Sequence, residues 1–105
     1  MASIAMLGYG TVGSGVVELI SSNKNKFVKG MNENLEVSKI LVRNLDKYKE
    51  NKYRAKITDN FDDVMKEKVD IVVEAMGGVY PSYDYVKRAL ELKKHVVTAN
   101  KDLIA

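Results

Sequence analysis

Three glycines in G-x-G-x-x-G spacing, Gly8, Gly10 and Gly13, stand between the apolar run Ile4-Ala5-Met6-Leu7 and a segment of helical apolar spacing. In a strand-then-helix context this motif seats a dinucleotide pyrophosphate. The first glycine permits a tight turn, the second lets phosphates approach the backbone, and the third lets helix and strand pack closely. The helix that follows aims its free N–H groups and positive dipole end at the phosphates. An S-adenosylmethionine loop is the alternative of another class, but the third glycine at this spacing suits a pyrophosphate. A strand–helix turn with no ligand is the bland alternative, and the strand-then-helix context favours the dinucleotide over it.

Other residues could complete such a site. Arg43 closes a second apolar run, where an NAD-preferring domain places an acid on the ribose 2′-OH. A guanidinium there can grip a 2′-phosphate bidentately, which favours NADP, while Asp46 three residues on keeps NAD possible. Lys56 is a candidate second cation or a plain surface lysine. Lys101 is the obvious proton-handling or electrostatic group for the nicotinamide end, where a desolvated lysine can stabilise or protonate an alkoxide. Glu74 ends a strand near the same crevice and is a weak candidate for the nicotinamide ribose. His95, the single histidine, reads as structural, and Tyr80, Tyr83 and Tyr85 as packing groups.

The elements that must position these residues alternate. Ser3 to Leu7 reads as a buried strand. Val12, Val16, Leu19 and Ile20 then form one helical face that fades at Ser21-Ser22-Asn23. Gly13 and Gly15 near the start of that helix suggest close contact with the sheet. Lys24 to Asn34 is a polar connection or short helix extension. Strands are expected at Leu35–Arg43 and Arg54–Thr58, the latter at an edge with Lys56 facing solvent; Asn44–Asn51 is a turn or short helix. Asp59-Asn60 can cap a short helix with Phe61, Val64 and Met65 as its apolar face. Asp70–Glu74 is the clearest strand. Pro81 starts a helix bearing Val86, Ala89, Leu90 and Lys93, with Lys93-Lys94 in its last turn, and His95–Thr98 is a last strand. Asn100 to Ala105 looks like a further helix cut short.

This alternation predicts a doubly wound α/β domain of Rossmann type, with a mostly parallel sheet in order 3-2-1-4-5 and helices on both faces. Right-handed crossovers would set the first two helices on one face and the later one on the other. The crevice then lies between the first and fourth strands. There Gly8–Gly13, the Ala75-Met76-Gly77-Gly78 segment and Thr98–Lys101 converge.

With 105 residues the chain is one domain, and 46% hydrophobic with 30% charged residues suits a globular one. The net charge of +3 is scattered, with no basic aromatic platform for nucleic acid. No apolar run nears the roughly 20 residues of a membrane span, and no secretory leader is visible. Without cysteine there is no disulfide, thiolate metal site or cysteine nucleophile, so a cytoplasmic address is expected.

Four stretches together resemble homoserine dehydrogenase: Gly8 to Val17, Val42-Arg43-Asn44, Asp70 to Gly78, and His95-Val96-Val97-Thr98-Ala99-Asn100-Lys101, the last being the most specific. The resemblance covers nearly the whole chain. It implies interconversion of L-homoserine and L-aspartate 4-semialdehyde with NAD(P)H, in threonine, methionine and isoleucine biosynthesis. It implies that Gly8, Tyr9, Gly10, Thr11, Val12 and Gly13 hold the pyrophosphate, Thr11 and Val12 through backbone N–H groups. Arg43 would read the 2′-phosphate, Ala75, Met76 and Gly77 would border the cofactor, Thr98 would approach the nicotinamide, and Lys101 would act at the cofactor–substrate junction. Asn44 replaces the family's acid, which mildly favours NADP. The family's substrate-binding and dimerising region is missing, so residues 1–105 are expected to be a fragment that binds cofactor without turnover. Another amino-acid dehydrogenase, such as one acting on aspartate, and a stand-alone nucleotide-sensing module are the alternatives.

Overall fold

The computed structural model describes residues 2–23, 35–66, 68–77 and 82–98. Five strands, β1 (Ala2–Leu7), β2 (Leu35–Leu41), β3 (Ile57–Thr58), β4 (Ile71–Glu74) and β5 (His95–Thr98), form one sheet in the order β3-β2-β1-β4-β5. Every pairing is parallel. The helices are α1 (Thr11–Asn23), α2 (Phe61–Lys66) and α3 (Ser82–Glu91). Sheet order, strand direction and helices on both faces are those expected. The segment 24–34, Gly78, Tyr80, Pro81 and residues 99–105, including Lys101, lie outside the described residues.

β1 is central, and its stretch Ile4–Leu7 is continuously apolar. Ile4 to Leu7 are at most 3% exposed, as a strand covered on both faces requires. On one face Ile4, Met6, Val37, Ile40 and Ile57 pack with Val17 and Ile20 of α1. On the other, Ala5, Leu7, Leu41 and Val72 pack with Phe61 and Val64 of α2 and Ala89 of α3. The second helix therefore sits with the third, not with the first. The chain turns back across the sheet at β3, and a right-handed crossover in that direction lies on the opposite face.

The buried stripe of α1 also differs from expectation. Gly13, Val17 and Ile20 face the sheet, whereas Val12 and Leu19 are half exposed. Gly13 is the cause: a Cβ there would stand 2.3 Å from the Gly8 carbonyl oxygen, so this position must face the strand. That contact sets the rotation of the helix. Gly15, by contrast, has nothing within 4 Å of its Cβ position and is not needed for closeness. Glu18 on the outer side accepts hydrogen bonds from Lys52 at 2.7 Å and Tyr53 at 3.2 Å, tying α1 to the β2–β3 connection. The Lys52 ammonium holds the Glu18 carboxyl below the usual carboxylate range. The tie is thus complete above that range and lost as pH falls through the lowered value.

That connection contains two single 3-10 turns, Leu45–Tyr48 and Arg54–Lys56, so the expected strand from Arg54 shrinks to Ile57–Thr58. Lys56 does not simply face solvent. It is half buried and donates to the Val37 carbonyl at 2.9 Å. In β2 the register with β1 slips at Ser38, whose hydroxyl donates to the Ile4 carbonyl at 3.3 Å. This bulge lets Val37 and then Ile40 stay buried despite their spacing.

Asn60 caps α2 as expected, its side-chain oxygen accepting the Asp62 N–H at 2.8 Å. Phe61 stacks on Tyr85 at 4.5 Å, and Arg88 lies over Phe61 while pairing with Asp62 at 2.7 Å. Tyr85 is thus a packing group, but Tyr83 is 52% exposed, as is most of Leu90. α3 stops at Glu91, before the lysine pair. Lys93 takes φ +62° and Lys94 N–H donates to the Ala89 carbonyl, a helix end that normally uses glycine. Among the described residues no helix is long and apolar enough to cross a membrane.

Candidate dinucleotide-binding site

All five strands stop on one line. Thr58, Leu41, Leu7, Glu74 and Thr98 are successive register partners across the sheet. The loops leaving β1, β2 and β4 rise from that line and enclose a cleft of about 210 Å³. Its lining is Gly8, Tyr9 and Gly10 from the first loop, Val42, Arg43, Asn44, Lys47 and Tyr48 from the second, and Ala75 and Met76 from the third. This is the point where strand order reverses, the place where open α/β sheets bind ligands.

The three glycines have different surroundings. Gly8 takes φ +104°, and a Cβ on it would stand 2.9 Å from the Ala75 carbonyl oxygen, so it permits both the turn and the approach of the β4 loop. Gly13 fits against Gly8 itself. A Cβ on Gly10 would meet nothing within 4 Å, so packing within the protein does not require glycine there. What it preserves is open space over the backbone, which the motif's second glycine provides for the approach of phosphates. The first bond of α1 runs from Ser14 N–H to the Gly10 carbonyl at 2.8 Å. The N–H groups of Thr11, Val12 and Gly13 precede it and have no partner inside the helix. No acidic residue stands in the first turn of α1 to compete for them.

Arg43 is exposed and reaches across the cleft, donating to the Gly77 carbonyl at 3.4 Å. Gly77 can present that carbonyl because it adopts φ +81°. Asp46 does not line the cleft and pairs instead with Lys49 at 3.8 Å. Tyr9 and Tyr48 meet edge to face, 5.6 Å between centroids, and form one wall. Asn44, which the resemblance sets beside the 2′-phosphate, lines the cleft, and with it lie Lys47 and Tyr48, which the sequence does not single out. The signal for Lys47 was its spacing, four residues beyond Arg43 in a stretch able to make a helical turn.

Glu74 is fully buried, and both of its carboxylate oxygens accept hydrogen bonds. One accepts the Thr98 hydroxyl at 2.6 Å and the other the Met76 N–H at 2.8 Å. The carboxyl group braces both the β4 loop and the end of β5, and the Thr98 hydroxyl is engaged by it. Thr11, Val12, Gly13, Gly77 and Thr98 flank the cleft without lining it. His95 is an exposed edge-strand residue.

A family model described as homoserine dehydrogenase, NAD binding domain, matches residues 8–105. The chain belongs to the homoserine dehydrogenase family. Homoserine dehydrogenase of Bacillus subtilis is 40% identical over 104 residues, covering 97% of this chain and 24% of that protein. The solved structure of S. aureus homoserine dehydrogenase superposes with TM-score 0.85 at 40% identity, covering 96% of this chain and 26% of that one. That from Thiobacillus denitrificans gives TM-score 0.87 at 36% identity, covering 98% and 24%. The chain therefore spans about a quarter of the length of these homoserine dehydrogenases. The matched part is their nicotinamide-dinucleotide domain, and the matches do not favour a different amino-acid dehydrogenase or a sensing module.

Proposed function

We propose that residues 1–105 are the NADP(H)-binding domain of a homoserine dehydrogenase that interconverts L-homoserine and L-aspartate 4-semialdehyde. The carrying observation is the meeting of the Gly8–Gly10 turn, Arg43 and the Ala75–Met76 segment around one cleft at the switch point. The pyrophosphate lies over Gly10 on the N–H groups of Thr11, Val12 and Gly13, with Gly8 and Tyr9 shaping the turn. Ala75, Met76 and Gly77 border the cofactor on the β4 side, and Thr98 marks the way to the nicotinamide. Arg43 takes the 2′-phosphate. Asp46, the acid that could have served a ribose 2′-OH, is turned to Lys49, which supports NADP over NAD.

The cofactor supplies or accepts hydride. The protein must hold the carbonyl carbon about 3–3.5 Å from it, which needs a shaped substrate site. In this reading that site, and the homodimer contact, belong to the further length that the relatives have. Lys101 works at the junction as proton handler or electrostatic stabiliser. The enzyme is cytoplasmic, and residues 1–105 alone bind cofactor without oxidising homoserine.

Calorimetric titration tests this. NADPH is expected to bind about tenfold tighter than NADH, and Arg43→Ala to lose about that factor for NADPH while leaving NADH unchanged. An unchanged preference in the variant contradicts the role of Arg43. Measurable homoserine oxidation by the 105-residue chain contradicts the division of labour.

A further inference from the structure

We propose that Lys47 is the second cation of the 2′-phosphate seat and sets cofactor preference jointly with Arg43. This rests on the reading of the cleft as an NADP site. Among the described residues that line the cleft, Arg43 and Lys47 are the two that carry a charge, and both are positive. Lys56, the second cation considered from sequence, is committed elsewhere, with its ammonium on the Val37 carbonyl at 2.9 Å.

The local fold explains why Lys47 lies at the cleft. The chain leaves β2 at Leu41, passes Arg43, and closes a 3-10 turn in which Lys47 N–H donates to the Asn44 carbonyl at 3.3 Å. Leu45 and Tyr48 pack against the core cluster of the α1 face. Tyr48 is further held by the ring of Tyr9. With those two residues turned inward, Asp46 and Lys47 turn outward. Asp46 is drawn to Lys49, whereas Lys47 has no carboxylate partner among the described residues. Its ammonium is left for a ligand anion. A fork-shaped guanidinium beside a compact ammonium suits a dianionic phosphate: Arg43 supplies paired N–H donors, and Lys47 a point charge on a flexible stem.

The test compares Lys47→Ala and Lys47→Arg with the parent and with Arg43→Ala, titrating NADPH, NADH, adenosine 2′,5′-bisphosphate and AMP at two salt concentrations. Lys47→Ala is expected to weaken NADPH and the bisphosphate about five- to tenfold and to flatten their salt dependence. NADH and AMP should be unaffected, and Lys47→Arg should retain most of the preference. If Lys47→Ala leaves NADPH affinity and its salt dependence unchanged while Arg43→Ala abolishes the preference, the proposal falls and the NADP reading stands. An equal loss of NADPH and NADH also overturns it, because Lys47 would then serve a part common to both cofactors. A parent chain that prefers NADH overturns the NADP reading, and this proposal with it.

Discussion

Gly13→Ala is expected to destabilise the chain by about 2–3 kcal/mol and to remove dinucleotide binding, the cost of forcing extra volume into a packed contact. The Cβ would lie 2.3 Å from the Gly8 carbonyl oxygen and 2.9 Å from its carbon. Both are backbone atoms of the phosphate-loop turn, so no side chain can rotate away to make room. One escape is for α1 to lift from the sheet, which loosens Val17 and Ile20, 0% and 7% exposed. The other is for the turn to shift, which disturbs Gly8 against Ala75. Gly15→Ala, two residues on and with open space around its Cβ, should instead stabilise by up to about 1 kcal/mol with binding intact. Thermal melts and cofactor titrations of the two variants check the contrast. Equal stability of both would mean that Gly13 does not set the helix–strand distance.

Glu74→Ala is expected to cost about 2–4 kcal/mol, through the cavity left by a fully buried side chain and the loss of its hydrogen bonds to the β4 loop and β5. The Thr98 hydroxyl and the Met76 N–H would both lose their bond to this carboxylate. The damage should spread to binding. Met76 lines the cleft, and the next residue, Gly77, offers the carbonyl that Arg43 reaches. Glu74→Gln keeps the volume and one acceptor oxygen, so its cost should be roughly half as large. Urea unfolding measures the two costs, and NADPH titration the loss of affinity. An alanine variant that melts with the parent would contradict the bracing role.

The parts of the fold legible in the sequence were those that a period or a local rule decides. Alternating apolar strands and capped helices point to a doubly wound domain, whose usual order is 3-2-1-4-5. The face on which α2 lies depends instead on how the chain turns back at β3. Asn60 was legible as a cap because its partner is two residues away. What escaped depends on contacts between distant segments. The rotation of α1 follows from one backbone contact, Gly13 on Gly8, and not from the apolar spacing that drew attention to Val12 and Leu19. The burial of Glu74 requires Thr98 across the sheet, and the engagement of Lys56 requires the Val37 carbonyl. Lys47 was hidden for the same reason. Its place depends on Leu45 and Tyr48 finding the core, which a polar stretch does not announce.

If a pyrophosphate lies over the backbone of the glycine turn, Gly10→Ala should separate folding from binding. The added methyl meets no atom of the described residues within 4 Å, so this variant should fold and melt like the parent. It should nevertheless lose NADPH and NADH alike, each by at least about tenfold, because the methyl occupies the phosphate's approach. A Gly10→Ala chain that binds both cofactors with the parent's affinity would mean that the dinucleotide does not lie over the glycine turn.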